Sequence, residues 1–160
     1  METAHPIPLV APRDQLAFFD SKSMELPQYM TALEAWGLAM QQPIPGMKAA
    51  MWLREKISGL FGVPPIHGVS HRWAQSVKPG DKLDFFLVEY SAENLLVLTV
   101  RDTHLDVMTT VTTYDRRFTI TSSVITHNWF GRAYMFPVGP AHRLIVWFTF
   151  RRLRKSISLG

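Results

Sequence analysis

Polar side chains that could bind a ligand or move a proton are concentrated between residues 101 and 154. The candidates are His104, Asp106, Asn128, Arg132, Tyr134 and His142. A histidine two residues from an aspartate could orient a ligand or act as a base if both faced one cavity. The guanidinium of Arg132 and the hydroxyl of Tyr134, two residues apart on a predicted strand, could together hold a carboxylate or a phosphate. We treat these six as candidate ligand-binding residues and assign none a catalytic role.

Strand alternation leaves two interpretations of the His104–Asp106 pair open. Both side chains fall on the strand face opposite Leu105, Val107 and Val111. If these aliphatic residues face the core, the histidine and the aspartate lie outside and are structural, which is the interpretation we favour. If the other face is inward, the pair lines a cavity.

The remaining candidates also have structural alternatives. Arg132 could pair with Asp106 rather than with a ligand. Asn128 could satisfy backbone groups at the sheet edge. His142, near the start of the predicted last helix, could be buried and hydrogen-bonded rather than face the mouth of a cavity.

Several kinds of chemistry are excluded or disfavoured by composition. The chain has no cysteine, which rules out disulfides and thiolate sites. It has no Gly-x-Ser-x-Gly elbow and no evident pair of acid–base carboxylates. His67 and His71 are four residues apart, but glycine and proline surround them and no glutamate follows His67, so we expect loop histidines rather than a metal site. No metal or cofactor is expected.

The positive charge is placed unevenly along the 160 residues. Residues 116–160 carry eight basic and no acidic residues, and the first 115 carry nine basic and thirteen acidic ones. Such asymmetry can mark a surface for acidic partners. The structural interpretation, which we favour here, is that cations gather where a helix ends, at the negative end of its dipole. We expect no nucleic-acid partner.

The absence of a signal sequence and of a long apolar run predicts a cytoplasmic protein. The 47% hydrophobic and 19% charged residues indicate one globular domain.

The hydrophobic periodicity predicts an α+β fold. Residues 1–12 form an extended lead-in, a weak strand lies within 15–26, and two helices span 27–62. A loop over 62–82 precedes antiparallel strands within 83–136, and the last of these is predicted over 129–136. A final helix over 139–157 follows. We expect a helix-grip-like arrangement, with a curved antiparallel sheet wrapped around the long C-terminal helix.

Three motifs, in this order, resemble the bacterial domain-of-unknown-function family 2867. They are Asp102-x-His104-Leu105-Asp106, His127-Asn128-x-x-Gly131-Arg132-x-Tyr134 and Pro140-x-His142-Arg143-Leu144-Ile145-Val146. Trp52-Leu53-Arg54 and Phe61-Gly62 are similar to an earlier helix of that family. The resemblance covers roughly residues 12 to 155 and implies a helix-grip fold of the START and Bet v 1 (SRPBCC) superfamily, whose members commonly hold apolar ligands.

The chain also differs from this family's pattern. The family tends to have an aromatic residue where this chain has Ala141. In the family the domain sometimes follows a nucleotide-binding domain, but this chain lacks a Gly-x-Gly-x-x-Gly fingerprint, so we carry over no nucleotide site.

These observations favour a small-molecule binding domain, with a cavity for an apolar or amphipathic ligand between sheet and C-terminal helix. An alternative is a cyclase- or hydrolase-like enzyme, which requires His104, Asp106 and Arg132 to converge on one pocket. A further alternative, which we consider less favoured, is contact with a membrane or an acidic partner through the basic helix end. The residues of that end are Trp147, Phe148, Arg151, Arg152, Arg154 and Lys155. A homodimer is compatible with the aromatic content.

Overall fold

A computed structural model of the chain describes residues 6–43, 46–60 and 76–158. After a short 3-10 turn at Arg13–Gln15, the described part contains six strands and three α-helices. Their bounds are β1 (Phe18–Glu25), α1 (Ala32–Met40), α2 (Met47–Leu60), β2 (Lys82–Leu83), β3 (Phe86–Ala92), β4 (Leu95–Arg101), β5 (Leu105–Tyr114), β6 (Arg117–Thr126) and α3 (Trp129–Ser158). The predicted α+β class, with a curved antiparallel sheet and a long C-terminal helix, is confirmed.

The six strands form one antiparallel sheet in the order β1-β6-β5-β4-β3-β2. Strands β2 to β6 follow one another as a meander, as the short turns between them predict. Asp115 and Arg116, between β5 and β6, both have positive φ angles, 49° and 63°, as a type I′ hairpin turn requires. Strand β1 joins from far away in sequence and pairs with β6, with Phe18 opposite Val124. It is therefore an edge strand.

Helices α1 and α3 cover one face of the sheet, which we call the inner face. The main core unites residues of both helices with alternate residues of the strands, and Phe118, Leu96, Leu98 and Leu153 in it are fully buried. The rings of Phe118 on β6 and Phe150 on α3 meet edge to face, with centroids 5.3 Å apart. Full burial of such a side chain is worth about 1.5–3 kcal/mol, so this packing fixes α3 across the sheet.

The N-terminal lead-in crosses the opposite, outer face of the sheet. The backbone N–H of Val10 donates to Ser123 Oγ over 3.0 Å, and Thr110 Oγ1 donates to the carbonyl of Pro8 over 2.7 Å. Hydroxyl groups also join β1 to β6 on this face, since Ser21 lies 2.8 Å from Thr121. The outer face is thus rich in hydroxyls that bond to one another and to the lead-in.

The long C-terminal helix begins ten residues earlier than the sequence predicts. Residues 129–136, predicted as a strand, are the first two turns of α3, and the expected start at residue 139 is wrong. Pro137 and Pro140 lie inside this helix. Both prolines are exposed, so the carbonyls that lose a helical hydrogen bond lie on a side that water can reach.

The first helix and the predicted loop also differ from expectation. Helix α1 starts at Ala32 rather than near Pro27, because Thr31 caps it. Thr31 Oγ1 accepts from the N–H of Glu34, and the Glu34 carboxylate accepts from the N–H of Thr31, which is a complete capping box. The predicted loop over 62–82 lies mostly outside the described residues, and so do His67 and His71. None of the helices in the described ranges has an apolar stretch of the length that crosses a bilayer.

Candidate functional site

Asn128 caps the N-terminus of α3 and links it to the turn between β4 and β5. Its Oδ1 accepts from the N–H of Gly131 over 2.9 Å, a typical N-cap bond. Its Nδ2 lies 2.9 Å from Nδ1 of His104 and 3.4 Å from the carbonyl of Thr103. Because an amide N–H can only donate, the contact with Nδ2 is a hydrogen bond when Nδ1 of His104 carries no proton, and Oδ1 of Asn128 lies 3.3 Å from the same nitrogen.

The backbone of α3 lies directly against the backbone of this turn. A Cβ at Gly131 would overlap the carbonyl oxygen of His104 and would lie 3.1 Å from its carbonyl carbon. The same carbonyl accepts from the N–H of His127 over 2.8 Å. The His104 ring packs edge to face on Phe130, with centroids 4.5 Å apart. His104, Asn128 and Gly131 therefore hold a structural corner between the sheet and the helix.

Asp102 shapes the turn in which His104 lies. Its Oδ1 accepts from the backbone N–H groups of His104 and Leu105, over 2.7 and 2.9 Å. Such a side-chain bond two and three residues ahead is the usual way in which aspartate stabilises a turn. The first motif of the sequence thus has a local structural explanation.

Asp106 belongs to a charged network on the outer face. Its carboxylate contacts Arg101 at 3.0 Å and His127 Nε2 at 3.1 Å, and Arg101 lies 3.7 Å from Glu89. Leu105 lies on the inner face in a second hydrophobic cluster. The favoured interpretation, that the His104–Asp106 pair lies outside and is structural, therefore holds for the position of Asp106. It does not hold for the position of His104, which lies in the turn before β5 and packs on Phe130 of α3.

Arg132 and Tyr134 do not form the predicted anion-binding pair. Both are in the first turns of α3, where residues two apart point in different directions. Tyr134 packs on the second hydrophobic cluster, against Phe18, Leu105 and Val124. Arg132 is exposed, and within the described ranges it has no ion pair with Asp106 or any other acid. The enzyme alternative requires His104, Asp106 and Arg132 to converge on one pocket. Their described contacts do not bring the three side chains together.

His142 lies in the middle of α3, not near its start, and faces the sheet between the two hydrophobic clusters. Its Nε2 lies 3.4 Å from Ser122 Oγ, and its ring meets Phe18 edge to face at 5.7 Å. Burial lowers the pKa of His142, Asp20 opposes this shift, and Arg143 adds to it. Nδ1 of His142 is buried, with no hydrogen-bond partner among the described residues. This histidine is thus part of the sheet–helix packing.

A cleft that the sequence did not reveal as a site lies between the edge strand β1 and the C-terminal half of α3. Its volume is about 410 Å³. It is lined by Lys22 and Ser23 of β1 and by Trp147, Phe150, Arg151 and Arg154 of α3. The sequence could have indicated the part of the cleft on α3, because its last four residues have helical spacing and no acid follows Asp115. It gave no sign that β1 forms the other side.

The charges in this cleft are uncompensated. Across the described ranges, no ion pair joins Lys22, Arg151 or Arg154 to an acid. The guanidinium of Arg151 lies over the Trp147 ring, 5.2 Å from its centroid, so the ring holds the cation at the cleft. No group of three metal-ligating residues comes together in the described parts of the chain. The arrangement can therefore attract an anion that also has an apolar part.

Comparison with known proteins identifies the family of the chain. Residues 13–149 match the family described as "Protein of unknown function (DUF2867)". The chain belongs to this family. No curated protein and no solved structure gives a significant match.

Proposed function

We propose that the protein binds a small amphipathic anion in the cleft between β1 and α3. The observation that carries the proposal is the composition of the cleft, in which three cations without acidic partners surround exposed aromatic surface. A volume of about 410 Å³ falls within the range of small-molecule pockets. A carboxylate or sulfonate would interact with Lys22, Arg151 and Arg154, and an apolar body would rest on Trp147.

The proposed position is the open side of the sheet–helix interface rather than its centre. Around the middle of that interface, Phe118 and Leu153 are fully buried and Phe150 packs against Phe118. A ligand there would have to displace well-packed core side chains, at a cost of several kcal/mol. The cleft at the sheet edge offers space without that cost.

We also propose that the domain is a bacterial, cytoplasmic member of the START-like helix-grip superfamily. The element order supports this, because the first strand pairs with the last one and the C-terminal helix crosses the inner face. The absence of cysteine is consistent with a reducing compartment.

Titration with anilinonaphthalene sulfonate, followed by fluorescence, tests the cleft directly. This probe combines an aromatic body with one anionic group. We expect the Arg154→Gln variant to bind about fivefold more weakly, since the arginine is exposed and the ion pair is screened by water. The Trp147→Ala variant should bind about tenfold more weakly, because it loses aromatic contact and the support for Arg151. Affinity should fall as salt is added.

Lys155→Gln is the matched control, because it removes an exposed charge one residue from Arg154 without touching the cleft. Equal weakening by Arg154→Gln and Lys155→Gln would mean that general charge attracts the probe, and the cleft would be refuted as the site. Native mass spectrometry of the purified protein is an independent check. A co-purified mass that is lost in the Trp147→Ala variant would identify the natural ligand class.

A further inference from the structure

The outward side of α3 carries an apolar stripe that runs along more than half of the helix. The stripe consists of Trp129, Ala133, Phe136, Pro140, Leu144 and Trp147, spaced three or four residues apart. The exposed fraction is 69% for Trp129, 86% for Phe136 and 54% for Leu144. At 1.5 Å per residue, the stripe is about 27 Å long. Exposed apolar surface of this extent on one helix face indicates an interaction site.

Basic residues border this stripe, and the helix carries no acid. Residues 129–158 contain six basic residues and no acidic one. Arg132 and Arg143 lie along one side of the stripe, and Arg151 and Arg154 continue the same face beyond Trp147. Only Arg143 has an acidic neighbour in the described chain, Asp20 at 3.8 Å. The surface around the stripe is therefore strongly positive.

We infer that the stripe docks on the surface of an anionic lipid bilayer, with the helix lying in the plane of the interface. Aromatic and leucine side chains on one face, with arginines beside them, are the pattern of helices that bind membrane interfaces. The two tryptophans mark the ends of the stripe, and this residue type prefers the headgroup level. The stripe shares Trp147 with the proposed ligand cleft, but Trp129, Phe136 and Leu144 extend it well beyond the cleft, so the inference does not depend on the proposed ligand.

A second copy of the chain fits this surface less well than a bilayer does. Two copies packed through the stripe would bring their arginines together, with no acid on the helix to pair with them, and like charges oppose such contact. The stripe also lies on a convex helix surface, which a fluid bilayer can accommodate without a matching groove.

Sedimentation of the full chain with vesicles tests the inference. We expect the protein to pellet with vesicles of equimolar phosphatidylcholine and phosphatidylglycerol and to remain in the supernatant with phosphatidylcholine alone. Phe136→Ser should weaken binding about tenfold, because it removes the most exposed apolar side chain of the stripe. Arg132→Gln should weaken it about fivefold, the contribution of one cation near an anionic surface.

The matched controls are Tyr90→Ser and Lys82→Gln, which change exposed residues of β3 and β2, at the edge of the sheet opposite β1. Both should bind vesicles as the unmodified protein does. Retention in the supernatant with anionic vesicles would overturn the inference. Equal loss in Phe136→Ser and Tyr90→Ser would do so as well. If the protein is a dimer that Phe136→Ser dissociates, and neither form pellets with vesicles, the stripe is a contact between copies and the membrane is excluded.

Discussion

Replacement of Gly131 by alanine should destabilise the protein even though alanine is the better helix former. Gly131 lies in the first turn of α3, where its Cα faces the carbonyl group of His104. A Cβ at this position would overlap the carbonyl oxygen and would also lie 3.3 Å from the side chain of Thr126. Because the main obstacle is backbone rather than a flexible side chain, no rotamer change can relieve it.

The expected size of the effect follows from the groups that would have to move. Alanine gains about 1 kcal/mol over glycine in helix propensity. The overlap costs roughly 1–3 kcal/mol if it is absorbed as strain. Because strain does not absorb the whole overlap, α3 also moves away, which weakens the Asn128 cap, at about 1 kcal/mol, and the hydrogen bond from His127 to His104, at a similar cost. Since both responses contribute and the propensity gain only partly offsets them, we expect a net loss of about 2–4 kcal/mol.

Urea and thermal unfolding measure this change, and Gly59→Ala is its matched control. A Cβ at Gly59, in α2, would meet nothing within 4 Å, so this variant should gain about 0.5–1 kcal/mol. For Gly131→Ala the midpoint of thermal unfolding should fall by roughly 5–15 °C. If its stability lies within about 0.5 kcal/mol of the unmodified protein, the close approach of α3 to the turn is not a constraint and the structural role of the motif is wrong.

Two further predictions concern other residues around α3. Asn128→Ala should lower the free energy of unfolding by about 1–2 kcal/mol. Asn128→Asp should lower it less, because it keeps the capping oxygen. Equal losses of the two variants in urea unfolding would argue against the cap. Burial lowers the pKa of His142 in the folded state, so between the ordinary and the lowered pKa the unfolded chain binds more protons, and stability should fall as pH falls through this window. The free energy of unfolding, measured by urea, should therefore fall less in His142→Gln than in the unmodified protein as the pH is lowered from about 7 to about 5. If it falls equally in both proteins, groups other than His142 cause the pH dependence.

The sheet could be predicted from the sequence because its strands are local and alternate regularly. In β5 and β6, apolar residues such as Leu105 and Val124 lie mainly at alternate positions, and the turn at Asp115 separates the strands clearly. The start of α3 could not be predicted in this way. Aromatic residues favour a strand, glycine is unfavourable inside a helix, and two prolines normally end a helix. Tertiary contacts decide that these residues form a helix, because the Asn128 cap and the packing of Phe130 on His104 hold its first turns in place.

Three of the candidate residues lie where elements of the fold meet, and their described contacts are structural. His104, Asp106 and Asn128 do interact with groups that the sequence placed far apart, but they join the elements of the fold to each other. A conspicuous polar motif can thus serve architecture as readily as chemistry. The cleft could not be found from local patterns, because Lys22 meets Arg151 and Arg154 only through the pairing of β1 with β6 and the path of α3.

The position of Arg132 on α3 argues that its charge serves binding rather than helix stability. Cations stabilise a helix only near its C-terminal end, within about one turn. Arg154 and Lys155 satisfy this condition in a helix that ends at Ser158. Arg143 lies four turns from that end, but it pairs with Asp20 and donates to the carbonyl of Phe19 in β1. Arg132 lies in the first turn, where the positive end of the dipole makes a cation unfavourable. Arg132 is exposed and has no acidic partner in the described chain. No described ion pair therefore offsets its unfavourable interaction with the helix dipole. An anionic surface beside the apolar stripe supplies the missing counter-charge, and this is why Arg132→Gln should weaken vesicle binding while leaving the fold unchanged or slightly more stable.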